Sequence, residues 1–71
     1  MYIIIEIQAN SENAAIIANS YTDEILANSD FYNKCASAVL SNVPIHTIKM
    51  CNETGADIPG MCKTFFHGIQ T

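Results

Sequence analysis

The sequence predicts an α+β fold of ββαββ order, a four-stranded antiparallel sheet with one helix packed on one face. Three observations carry this reading. Residues 2–8 alternate in strand period and are rich in isoleucine. Small and apolar residues then recur at near-helical spacing between Thr22 and Asn42, ahead of Pro44. Two more strand-like stretches follow, on either side of a turn containing Gly55. A helix joining two hairpins brings the third strand antiparallel to the first, which gives the sheet order 2-1-3-4.

The first strand places Ile3, Ile5 and Ile7 on one face and Tyr2, Ile4, Glu6 and Gln8 on the other. Asn10-Ser11-Glu12-Asn13 has turn chemistry, because Asn and Ser side chains bond nearby backbone. Ala14 to Tyr21 reads as the returning strand, although Ala14-Ala15-Ile16-Ile17-Ala18 also suits the opening of a helix. Ser20 or Thr22 can cap the helix, and Asp23 and Glu24 suit its positive end. A shorter helix starting near Ser29 and Asp30 is the alternative. Its apolar stripe comprises Ile25, Ala27, Phe31, Cys35, Ala38 and Val39, widened by Leu26, Tyr32, Ala36 and Leu40. Pro44 stops the helix and pushes Val43 towards extended backbone.

Ile45 to Cys51 is the third predicted strand, and residues 52–57 form a turn in which Gly55 can take positive φ. Ile58 to His67 is the fourth, interrupted by Pro59-Gly60, which implies a bulge or an edge position. The tail, residues 68–71, is expected to fray.

Composition narrows the function classes. At 71 residues the chain forms one small domain, of a size that commonly gains burial by self-association, so a homodimer or higher oligomer is expected, with the partly apolar sheet face away from the helix as its dimer surface. Seven acidic residues against three lysines, with no arginine, disfavour direct nucleic-acid binding. The start has no basic n-region, and no stretch has the length of a membrane span. Three cysteines, an odd number, suit a reducing compartment, so the expected location is cytoplasmic. Asn52-Glu53-Thr54 fits a glycosylation pattern that matters only on secretion.

Several short motifs are similar to those of a known group. They are Met1-Tyr2 with Glu6-Ile7-Gln8, Tyr21 and Asp23 leading into a helix, and Val43-Pro44-Ile45-His46. Glu53, Gly55 and Cys62 extend the match towards the end of the chain. In these the chain resembles small hypothetical proteins of similar length from intestinal Firmicutes and their mobile elements or phages. It departs from them at Phe31, where the group has a Tyr-like place, and in the Pro59-Gly60 insertion. The resemblance implies a mobile-element context and supplies no catalytic or binding residues.

Candidate chemistry is sparse. His46, Cys51, Cys62 and His67 have symmetric spacing, and one hairpin register sets His46 opposite His67 and Cys51 opposite Cys62. Alternation would then turn the histidines away from the cysteines, so buried free thiols are favoured over a zinc site and no metal is assigned. Cys35 lies too late on its helix for the dipole to activate it. A lone His46 on an apolar strand is more often a hydrogen-bonded structural residue. Asp23-Glu24 fits first-turn charges better than a pair of catalytic acids. Phe65-Phe66 gives one ring to each face. No phosphate loop, dinucleotide turn or nucleophile elbow is present. No catalytic or cofactor-binding residues are therefore assigned. The leading expectation is a homodimeric, non-enzymatic interaction module that binds a host or element-encoded protein through the exposed sheet face or an edge strand. Alternatives are an acidic inhibitor occupying a basic nucleic-acid site on a host defence enzyme, and a small Cys/His enzyme or metal protein.

Overall fold

The computed structural model describes residues 1–67, so the expectation of a frayed tail lies outside the described residues. Four strands and one helix follow in the order β1 (Tyr2–Ala9), β2 (Ala14–Tyr21), α1 (Glu24–Leu40), β3 (Ile45–Asn52) and β4 (Asp57–Phe66). The strands form one antiparallel sheet in the order β2-β1-β3-β4, with the helix on one face.

Each junction has a local cause. Asn10 Oδ1 accepts from the amides of Glu12 and Asn13, both at 2.8 Å, and this closes the first hairpin. The helix cap is Asp23, not Ser20 or Thr22: its carboxylate accepts from the Ile25 amide at 2.8 Å, with Glu24 beside it in the first turn. The helix ends at Leu40, ahead of Pro44, where Ser41 caps it through an N–H to the Ala38 carbonyl at 3.2 Å.

In the second hairpin Asn52 Oδ1 accepts from Thr54 N–H, Thr54 O–H and Ala56 N–H. Gly55 sits there at φ +87, with nothing within 4 Å of an added Cβ. Gly55→Ala is therefore expected to destabilise by about 1–2 kcal/mol through backbone strain alone, read as a lower urea midpoint, and Gly55→Asn by less. Gly60, at φ +79, forms the anticipated irregularity with Pro59, and the β3–β4 register shifts between Lys49 and Cys51.

The helix covers the more polar face of β1. Tyr2, Ile4, Glu6 and Gln8 point towards it, while Ile3, Ile5 and Ile7 line the open face. Ile4, Ala27, Phe31, Ala38, Ile48 and Met50 form the core, and Tyr2, Tyr21, Cys35, Ile58, Met61 and Phe65 pack around it. The buried helix stripe is narrower than the sequence suggests. Only Ala27, Phe31 and Ala38 are fully buried on it, whereas Ile25, Leu26, Tyr32, Val39 and Leu40 are exposed. Two alanines flanking one phenylalanine let the helix lie close to the sheet while a single large ring fills the space between them.

Candidate functional site

Two features stand out against this frame: a buried polar chain beneath the end of the helix, and an uncovered apolar sheet face.

The polar chain starts on β1. The Glu6 carboxylate accepts from Gln8 Nε2 at 3.1 Å and lies 2.6 Å from His46 Nε2 on β3. The other ring nitrogen of His46 is 3.0 Å from Ser41 Oγ, and that oxygen is 3.0 Å from the Ala38 carbonyl. The serine hydroxyl has one proton. Directed at Ala38 it obliges His46 to donate from Nδ1, and directed at His46 it leaves the ring neutral; in both cases Nε2–H stays on Glu6. His46 is only 3% exposed, so the carboxylate beneath it satisfies a ring with almost no access to water. Burial pushes the Glu6 carboxyl up. The hydrogen bonds from His46 and Gln8, with the charges of His46 and Lys34, outweigh that and hold it below the usual carboxylate range.

Serine, histidine and glutamate in sequence resemble a hydrolytic triad, but the setting opposes that chemistry. Ser41 is at the C-terminal, negative end of the helix, where backbone carbonyls converge. An oxyanion forming there would meet acceptors where an acyl-transfer site needs donors. The hydroxyl is engaged in capping, and His67 Nε2 adds a further hydrogen bond to the same Ala38 carbonyl at 2.8 Å. The helix has no basic residue in its last turn, so both histidines come from the sheet side to serve that end. This shared role was not visible in the sequence, because it depends on where the end of β4 meets the helix.

The symmetric register expected for His46, Cys51, Cys62 and His67 does not form. His46 pairs with Phe65, Lys49 with Cys62, and Cys51 with Asp57. The turn sets Cys51 against Asp57, and the Pro59-Gly60 bulge makes up only part of the offset, so Cys62 comes to lie opposite Lys49. Among the described residues no three His, Cys, Asp or Glu side chains gather into a metal-holding group. Cys35, Cys51 and Cys62 are free, Cys51 buried and Cys62 exposed. Burial pushes the Cys35 thiol up, away from the reactive thiolate, despite the nearby charge of Lys63. Phe65 packs against the core and Phe66 lies exposed on the open face, one ring to each side.

The open face is apolar along β1 and at one end. Cross-strand rows place Ala18 beside Ile5, Ile16 beside Ile7, and Ala9 beside Ile45, which in turn neighbours Phe66. Ile16 is 69% and Phe66 67% exposed. Further along the face Lys49, on the central strand β3 beside Ile5, pairs with Asp57 at 3.0 Å, and Thr47 and Thr64 share a hydrogen bond at 3.1 Å. A groove of about 410 Å³ opens at the end of the sheet, lined by residues that include Gln8, Asn10, Asn13 and Asn42. Among the described residues no helix is long and apolar enough to cross a membrane. No family model, curated protein or solved structure matches the chain.

Proposed function

We propose that the chain is a non-enzymatic, homodimeric interaction module of a mobile element or phage, and that it binds a host or element-encoded protein through its open sheet face. The observation that carries this reading is the apolar strip at one end of that face, where Ile16 and Ile7 lie next to the row of Ala9, Ile45 and Phe66. A sheet normally covers such a face, and an uncovered one of this kind marks a contact surface. The one triad-like constellation supports the non-enzymatic part, since its serine and histidine already serve the carbonyl end of the helix. We place the module in the cytoplasm, where three free thiols persist.

The test is recovery of tagged protein from a lysate of the native host, alongside an Ile5→Thr/Phe66→Lys double variant. The expected result is one stoichiometric partner that survives moderate salt on the wild type and is lost from the variant. A partner kept equally by the variant, or no partner, contradicts the proposal. A partner shed at moderate salt and indifferent to the variant points instead to an acidic inhibitor of a basic site.

A further inference from the structure

We infer that two copies of this chain pair through the β2 edge, antiparallel and centred on Ile17, to make one continuous eight-stranded sheet. The inference rests on the reading of the chain as an interaction module and gives that module its self-contact.

The two edges of the sheet are guarded very differently. β4 carries Asp57, Pro59, Gly60 and Lys63, a bulge and two charges of the kind that block strand addition. β2, Ala14-Ala15-Ile16-Ile17-Ala18-Asn19-Ser20-Tyr21, has no charge, proline or glycine. All its residues are exposed except Tyr21, which is half-buried. An edge of this length and composition is a template for another strand.

The phase of the backbone hydrogen bonds selects the register. The Asn10 amide donates to the Asn13 carbonyl at 2.9 Å, so the bonding pairs between β1 and β2 are alternate ones, starting from that closure. Ala15, Ile17, Asn19 and Tyr21 therefore turn their backbone groups inward to β1. Ala14, Ile16, Ala18 and Ser20 turn theirs outward.

An antiparallel pairing about a two-fold axis at Ile17 uses all four outward residues. Ala14 faces Ser20 of the partner subunit and Ile16 faces Ala18 of the partner subunit, giving about eight backbone bonds. Every side chain set opposite another is neutral, and Ile17, 43% exposed here, meets its own counterpart at the axis. No other register about a two-fold pairs all four outward residues with one another, and this self-complementarity with neutral side chains points to a second copy as the occupant.

Light scattering on the full chain, with two variants, tests this. Ala18→Pro removes an outward N–H and leaves the bonds to β1 intact, so it should give a folded monomer where the wild type is a dimer. Ile17→Cys in a Cys62→Ser background supplies a test that does not require proline to be tolerated. Residues 17 of the two copies form a close, non-bonded pair across the axis, a geometry suited to a disulfide. Mild oxidation should yield about tenfold more covalent dimer for Ile17→Cys than for Ala15→Cys or Asn19→Cys. A monomeric wild type, a dimer untouched by Ala18→Pro, or equal cross-linking at 15, 17 and 19 overturns the inference. The wider reading fails separately: a monomer that still captures its partner defeats only the pairing, and a dimer without a partner defeats only the binding role.

Discussion

Phe31→Ala is expected to leave most of the protein unfolded at room temperature. The ring is fully buried and is the one large side chain that the helix sends into the core, because Ala27 and Ala38 contribute methyl groups alone. Truncating a buried phenylalanine costs about 3–5 kcal/mol in lost transfer energy and residual cavity. A domain of this size rarely has much more than that to lose. Phe31→Leu retains most of the volume and should cost about 1.5 kcal/mol or less. Urea titration followed by circular dichroism separates the two. A Phe31→Ala protein with a midpoint close to wild type would mean that the helix does not dock on this ring.

Breaking the Glu6–His46 contact is the second large effect. His46→Ala leaves a half-buried carboxylate beneath the helix with Gln8 alone, and Glu6→Ala leaves Nε2 of a buried imidazole without its partner. Either change should cost about 1–3 kcal/mol. Replacing both with leucine should recover part of the loss, since neither partner is then left unpaired, although Gln8 and Ser41 lose their bonds to the pair.

The same contact sets an acid dependence. The folded-state pKa of Glu6 lies below its ordinary value of 4.5, so near that pH the unfolded chain binds more protons than the folded one. The stability this supplies is complete above about 4.5 and is lost as pH falls through the lower, folded value. Urea midpoints measured from neutral into acid pH should fall for the wild type and flatten over that window for Glu6→Gln. Glu53 is also held low, by a hydrogen bond from its own backbone and by the amino group of Met1, but it is exposed and screened. Glu53→Gln should leave the profile nearly unchanged.

Much of the architecture was legible because local and global signals agree. Alternation over Tyr2–Gln8, the Asn10 turn, the Gly55 turn and the helix between them led to the observed strand order without any contact information. The faces were harder to read. Ile3, Ile5 and Ile7 look like the natural core side of β1, yet the helix covers Ile4 and Glu6, because Glu6 finds His46 forty positions away. That is a tertiary match with no local trace. The helix offers apolar residues almost all the way round, so spacing alone did not single out Ala27, Phe31 and Ala38 from Ile25, Leu26 and Val39. Pro59-Gly60 announced a bulge, but its size, and with it the placing of Cys62 opposite Lys49, follows from how β4 pairs with β3 beyond the turn. The unguarded β2 edge was readable in composition and acquired meaning only when the sheet order put it outermost.

Residue-resolved amide hydrogen exchange as a function of protein concentration tests the central claim most directly, that this sheet is completed by another chain at β2. The inward amides of Ala15, Ile17 and Asn19 should be protected at every concentration. Protection of Ala14, Ile16, Ala18 and Ser20 should rise with concentration, in the alternation that strand pairing imposes. Free exchange of those four amides at every concentration would contradict the account, as would protection that grows only on Ile45 and Phe66.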